Sequence, residues 1–471
     1  MSTPTNGDDS LVGTSSADFI KGKGGDDTIR GRQGDDTLWG LRGDDLVSGN
    51  AGDDRVNGQA GDDLLIGGGG NDGVNGGSGD DILVGGLGTD VVIGGSGDDL
   101  ISFDDIGGDA TTGDSPLGGV EVDFADAGKN GFVRAFIDRD DDGVFEEFDR
   151  ISAKTIEILE GTDGDDVFEV GGFGHRTVIG SAGDDSITGD DDDFTVDYSE
   201  FGDVITLQTA GLVQKGAVGG FGPDFAGALG TDTIGGFDQN PANFVSAKKV
   251  IGATGEANTI DGTSRSGAVN VTVDLEAGTF QSEVVQVVGG FPAFGLGITF
   301  GFDVENFVNV VGTINDDDIT GDAQDNTIFG SRGSDVLQAG TSFVANGFDT
   351  LDYGNLGGSV EVAAAGAFTK READGTLIGV DTVGDFDLAG GQIEVFEKVV
   401  GDAGFRNTLN GAGAFANIVA DLGAGTVSAT VAPGGFGGFA GGTSFGFDVE
   451  NFVDVIGSDL DDEITGDAQD N

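Results

Sequence analysis

Aspartate returns at every ninth residue along the first hundred: Asp18, Asp27, Asp36, Asp45, Asp54, Asp63, Asp72, Asp81, Asp90 and Asp99. A carboxylate is a hard oxygen donor. Set among glycine-rich turns that offer main-chain carbonyls, a row of them suits calcium, which takes both kinds of oxygen. The aspartates mark position 6 of a nine-residue unit that runs without a gap from Gly13 to Ser102 in ten copies. The clearest copies are GKGGDDTIR (22–30), GRQGDDTLW (31–39), GLRGDDLVS (40–48) and GGSGDDILV (76–84). Position 1 is Gly in all ten and position 4 in nine, while position 8 is always aliphatic, from Ile20 through Leu65 to Ile101.

For such a row to act together, the chain must return in register. Each unit divides into a six-residue turn and a three-residue strand. Glycine at positions 1 and 4 permits backbone angles that residues with a Cβ resist, so the turn can fold tightly and aim its carbonyls inward. In the strand the middle residue points one way and its neighbours the other, which makes the position-8 aliphatics one buried ladder. Two units form a coil of 18 residues, and stacked coils repeat at roughly 4.8 Å. Asp27 then faces Asp45, and Asp36 faces Asp54, close enough to share an ion. Ten units would hold about four ions per side.

The repeated pattern GGxGxDxUx of residues 13–102 resembles the calcium-binding nonapeptide of the repeat-in-toxin (RTX), haemolysin-type family. The resemblance implies an all-β fold: a right-handed parallel β-roll or β-solenoid with calcium between successive turns. It also implies type I secretion to the extracellular space or cell surface. Gly13–Lys21, with Ser16 at position 4, departs furthest and reads as an N-terminal capping coil, after a lead-in of residues 1–12.

Beyond the regular repeat the period loosens into a degenerate module (103–192), a longer module (193–346) and its second copy (347–471). FTVDYSEFGDVITL (194–207) answers DTLDYGNLGGSVEV (349–362), and GTDTIGGFD (230–238) answers GVDTVGDFD (379–387). Remnants of the nonapeptide keep position-6 carboxylates that are further candidate ligands: Asp166, Asp185, Asp317, Asp335 and Asp462. Other remnants carry Arg176, Asn326 or Arg406 there, and an arginine would supply a guanidinium in place of the ion's charge. The expectation is a solenoid that continues with fewer ions and longer loops; a separate β-sandwich per module is the competing architecture. Phe and Gly crowd the insertions (219–225, 289–302, 434–447). They read as filler for a wider core or as an aromatic patch for self-association.

A different calcium motif appears in DRDDDGVFEEFD (138–149). Asp138, Asp140 and Asp142 fall at positions 1, 3 and 5 of an EF-hand-type loop, with Gly143 at 6 and Asp149 at 12. The flanks form no convincing helix pair, and a solvated acidic turn is the competing reading.

Composition narrows the function. The chain has 85 acidic and 21 basic residues, a net charge of −64. Repulsion of that size opposes a compact state unless cations neutralise it, and it argues against nucleic acid or anionic membrane as partners. Cysteine is absent, so neither disulfides nor zinc–thiolate sites can form. His175 is the sole histidine, which excludes an HExxH metalloprotease site and leaves a serine triad one candidate base. No apolar run reaches membrane-spanning length, and the first residues lack the basic-then-apolar pattern of a secretory signal. The last residues, GDAQDN, stop midway through a unit that continues as TIFGSRG in the earlier copy, so further sequence is expected beyond them.

These readings converge on a secreted, non-enzymatic structural or adhesive protein that folds on meeting extracellular calcium. Self-association or a cell-surface or polysaccharide contact would be its further partnership. The alternative is the calcium-dependent secretion and folding module of a larger RTX enzyme or toxin. A polysaccharide-modifying activity in the Phe-rich modules is a third reading.

Overall fold

The computed structural model describes residues 3–103, 119–124, 131–137, 147–171, 175–189, 194–208, 211–216, 231–234, 247–263, 269–284, 299–340, 348–363, 366–384, 396–412, 414, 416–431 and 444–468. All of its regular elements are strands. The chain divides into two compact units, Met1–Ile205 with Gly211–Thr254, and Thr206–Ala210 with Gly255–Asn471.

In the first unit the nonapeptides alternate between two parallel sheets. Thr28–Gln33 pairs with Leu46–Ala51, then Leu64–Gly69 and Ile82–Leu87, always 18 residues on. The other sheet holds Thr37–Arg42, Arg55–Ala60, Gly73–Ser78 and Val91–Ser96 in the same offset. Position 8 fills the space between them. Ile29, Leu38, Val47, Val56, Leu65, Leu83 and Val92 are wholly buried, which is the expected ladder. The strands are six residues long rather than three, because positions 1–3 of the following unit continue the ladder and pair as well (Arg32 with Asn50, Gln33 with Ala51). The roll also begins earlier than Gly13. Ser10–Val12 pairs with Thr28–Arg30, and Leu11 is buried beneath it, so the lead-in is itself a unit of the roll.

After Ser102 the parallel register survives the insertions. Leu100–Ser102 pairs with Ile158–Glu160, which pairs with Arg176–Ile179 and, through it, Phe194–Asp197. Insertions fold as antiparallel excursions from the sheet: Val120–Asp123, Phe132–Ile137 and Glu147–Ser152 form one, and Glu147–Ser152 returns to pair in parallel with Val91–Ser96.

The second unit follows the same plan. Phe307–Val311, Thr327–Phe329, Thr350–Asp352 and Lys398–Val400 stack in parallel. Asp318–Thr320 pairs with Val336–Gln338, and that strand with Leu377–Val383. Ser359–Ala363, Ala367–Arg371 and Leu377–Val383 make an antiparallel excursion. The solenoid thus continues through the degenerate modules, and no sandwich replaces it among the described residues. The Phe/Gly stretches lie largely outside those residues.

Candidate metal centre

The position-6 aspartates are stacked rung on rung. The amide of Asp27 donates to Oδ1 of Asp45 at 2.7 Å, Asp45 to Asp63 at 2.8 Å, Asp63 to Asp81 at 2.9 Å and Asp81 to Asp99 at 3.0 Å. On the other side Asp18, Asp36, Asp54 and Asp72 donate in the same way to Asp36, Asp54, Asp72 and Asp90 at 2.6–2.7 Å. One carboxylate oxygen of each rung is therefore fixed by the main chain of the coil before it. The other, Oδ2, is buried without a hydrogen-bond partner in Asp27, Asp36, Asp45, Asp54, Asp63, Asp72, Asp81 and Asp99. A buried carboxylate oxygen left unpaired is costly. Eight in register point to a cation that the turns are shaped to hold.

Position 1 determines what Oδ2 faces. A Cβ on Gly22 would lie 2.0 Å from Asp27 Oδ2 and 2.7 Å from the carbonyl oxygen of Gly40. On Gly58 it would lie 2.0 Å from Asp63 Oδ2 and 2.9 Å from the carbonyl oxygen of Gly76. Carboxylate and carbonyl thus converge on the bare side of the position-1 glycine. Among position-1 residues of the roll, none has the left-handed angle that sequence reasoning assigned to it; glycine is needed there for space. The left-handed angles fall at position 4, from Gly25 to Gly97, and at position 2. Position 2 includes non-glycine residues, with φ of 100° at Lys23, 90° at Arg32, 95° at Leu41 and 91° at Gln59. Side chains resist that conformation, so these turns hold backbone strain that the surrounding fold must offset.

The donor set, one carboxylate per turn plus carbonyls, is that of a hard cation. Among the described residues no three acidic, histidine or cysteine side chains cluster about one point. Burial pushes the carboxyls of Asp45, Asp54 and Asp81 up to about 6 and those of Asp63, Asp72 and Asp99 up to about 7. Their main-chain hydrogen bonds oppose the rise, and neighbouring aspartates add to it. Bringing these groups to full charge at neutral pH calls for a positive partner.

Several ladder residues have a different partner already. Asp9, which sequence reasoning missed, is the first rung of its column and donates to Asp27 Oδ1 at 2.8 Å. The signal was present in GDDSLV (7–12), placed 18 residues before GDDTIR. Its Oδ2 accepts from the Thr5 amide. In the other column Asp18 Oδ2 accepts from the Thr14 amide at 2.6 Å and hydroxyl at 2.9 Å. The same device occupies Asp166 through Thr162, Asp317 through Thr313 and Asp462 through Ser458. Threonine or serine at position 2 closes the turn on its own carboxylate. Asp185 and Asp335 are instead ion-paired to the buried Lys215 and Lys370.

Asp138, Asp140 and Asp142 lie outside the described residues. Asp149, expected to close their loop, stands on Glu147–Ser152 and extends the roll's ladder: the Asp90 amide donates to its Oδ1 at 2.9 Å. Parallel pairing with Val91–Ser96 puts it there, which sequence spacing could not reveal. Arg176 is buried and donates to the carbonyls of Ala153 and Val170, a guanidinium among turn carbonyls as expected. Arg406 is not. It is exposed and paired with Asp454, while Asn407 takes the rung by accepting from the Val360 amide, because this turn is one residue longer than the nonapeptide turn. Asn326 holds its rung, accepting from the Asp322 amide.

A second row of carboxylates was also missed. At position 5 the amides of Asp44, Asp62, Asp80 and Asp98 donate to Oδ1 of Asp26, Asp44, Asp62 and Asp80 at 2.9–3.0 Å. This row runs in the opposite sense to the position-6 ladder and is exposed to solvent.

The family model for the RTX calcium-binding nonapeptide repeat (four copies) matches residues 4–38, 39–74, 66–101, 170–205 and 311–341. No curated protein matches the chain. RTX repeats typically bind calcium, and they are typical of type I secreted extracellular proteins. The matched stretches begin at residue 4, ahead of the first strand Ser10–Val12, and include the turns whose aspartates form the ladders. These stretches of the chain are RTX calcium-binding nonapeptide repeats.

Proposed function

We propose that residues 4–102 are a calcium-driven folding element of a secreted, non-enzymatic structural or adhesive protein. The observation that carries this reading is the row of eight buried Oδ2 atoms without partners, each beside a glycine that has no Cβ to fill the gap. Asp27, Asp36, Asp45, Asp54, Asp63, Asp72, Asp81 and Asp99 would hold the ions, with position-1 carbonyls such as those of Gly40 and Gly76 completing the donor set. Bound calcium supplies the charge that lets successive turns pack. Where calcium is scarce, repulsion along the ladders keeps the segment open. At extracellular, millimolar calcium, binding energy becomes folding energy.

The proposed biological role follows from the regular roll: coils stitched together by their carboxylates, with a further row of exposed aspartates along the turns, suit a surface layer, matrix or filament. Circular dichroism of the full chain during a calcium titration tests the folding step. A β signal that grows with calcium and falls on adding EGTA supports it, and a signal indifferent to both refutes it.

A further inference from the structure

Two buried lysines stand in the degenerate modules, one in each copy of the long repeat, and their surroundings match atom for atom. Lys215 Nζ donates to the Ser181 carbonyl at 2.6 Å and to Asp185 Oδ2 at 3.0 Å, and it pairs with Asp232 Oδ1. Lys370 Nζ donates to the Ser331 carbonyl at 2.6 Å and to Asp335 Oδ2 at 2.9 Å, and it pairs with Asp381 Oδ1. Both side chains are fully buried. An ammonium has three N–H donors and no acceptor, so each lysine is satisfied by one carbonyl and two carboxylates.

Those acceptors are ladder atoms. The Asp185 amide donates to Asp232 Oδ1, and the Asp335 amide to Asp381 Oδ1, both at 3.0 Å. Asp185 and Asp232 are thus consecutive rungs, as Asp27 and Asp45 are in the roll. Ser181 and Ser331 are position 2 of the turns that carry Asp185 and Asp335. In Asp27, Asp45, Asp63 and Asp81 of the roll the corresponding Oδ2 has no protein partner; here an ammonium meets it. A tyrosine completes each site. Tyr198 donates to Asp232 Oδ2 at 2.5 Å and Tyr353 to Asp381 Oδ2 at 2.6 Å. Their rings take the space beside the position-1 glycines, where a Cβ on Gly180 or Gly330 would come within 2.1 Å of them.

The antiparallel excursions deliver the lysines. Leu212–Lys215 pairs antiparallel with Thr231–Ile234, the strand that contains rung Asp232. Ala367–Arg371 pairs likewise with Leu377–Val383, which contains Asp381. Each insertion thus brings its own cation to the rung where the chain returns.

We infer that Lys215 and Lys370 are built-in replacements for calcium, which keep the turns at Asp185–Asp232 and Asp335–Asp381 closed when calcium is absent. The inference rests on the proposed reading of the roll as a calcium site. It divides the chain into a calcium-dependent segment and two clamps that carry their own charge.

Hydrogen exchange of the full chain, read peptide by peptide in calcium and in EGTA, tests it. Peptides within 22–102 should lose protection in EGTA, while those covering 185–188, 212–215, 231–234, 336–338 and 367–383 keep it. Loss of protection in both sets would overturn the clamps and leave the calcium reading of the roll standing. Retention in both sets would overturn that calcium reading. A second variant sharpens the result. Lys370→Ala empties the clamp without removing an oxygen ligand, so protection at 336–338 and 377–383 should become calcium-dependent, lost in EGTA and recovered in millimolar calcium. Protection unchanged in EGTA, or absent in both conditions while peptides within 22–102 stay protected in calcium, would overturn the replacement.

Discussion

The amide of Asp45 donates to Oδ1 of Asp63 at 2.8 Å, and Oδ2 of Asp63 has no protein partner. The two oxygens of one carboxylate therefore have separate tasks. One stitches a coil to its predecessor, and the other faces the gap beside Gly58. Asp63→Ala removes both. It should cost about 1–3 kcal/mol through the stranded Asp45 amide alone, and it should lower the number of calcium ions bound. A calcium stoichiometry equal to that of the unaltered chain, measured by equilibrium dialysis, would contradict the assignment.

Two adjacent residues distinguish space from backbone angle as the reason for glycine. Gly58→Ala puts a Cβ within 2.0 Å of Asp63 Oδ2, an overlap of the kind that costs about 1–3 kcal/mol. It should raise the calcium concentration needed for folding. Gln59→Gly relieves an exposed residue held at φ 91° and should stabilise the roll by about 1 kcal/mol. Thermal melts in calcium compare the pair; effects of the same sign would refute the distinction.

The pH response has a defined direction. Burial raises Asp63, Asp72 and Asp99 to about 7 in the metal-free fold, so that fold holds protons more tightly than the unfolded chain does. Its stability from these groups is fully present below the unfolded carboxylate value near 4 and is lost as pH rises through about 7. In EGTA the β signal of the roll should therefore rise as pH falls from 8 through about 7. General relief of the −64 charge would act nearer pH 4, where ordinary carboxylates titrate. A signal in EGTA that stays flat from pH 8 to pH 5 and rises only near pH 4 would contradict the assignment.

The turns closed by threonine should behave differently. Thr313 donates its amide and its hydroxyl to Asp317 at 2.6 and 2.8 Å. Thr313→Val deletes the hydroxyl bond and should destabilise the second unit by about 1–2 kcal/mol, with no change in calcium stoichiometry. A loss of bound calcium in this variant would place an ion where the threonine is assigned.

The regular roll was legible because every unit repeats the same job at the same position. Nine-residue spacing fixed the 18-residue coil, the buried ladder from Leu11's neighbour Ile29 to Ile101, and the pairing of Asp27 with Asp45. What stayed hidden depends on contacts across insertions. Asp149 reads as the end of an acidic loop until Glu147–Ser152 pairs with Val91–Ser96. Arg406 reads as a rung until one extra turn residue hands that place to Asn407. Lys215 lies 30 residues from Asp185 in sequence, and only the antiparallel excursion brings them together. One signal was available: Tyr198 and Lys215 recur as Tyr353 and Lys370 at a common offset of 155 residues. Threonine or serine at position 2 was likewise readable, and it marks the turns closed on Asp18, Asp166, Asp317 and Asp462, although serine also stands there in the lysine-bound turns of Asp185 and Asp335.

The most direct test is an anomalous difference map from crystals of the full chain grown in calcium. Two columns of calcium peaks are expected beside the Oδ2 atoms of the roll, along Asp27, Asp45, Asp63 and Asp81 on one side and Asp36, Asp54 and Asp72 on the other, with none beside Lys215 or Lys370. An ordered roll with no peaks at those aspartates would contradict the calcium assignment.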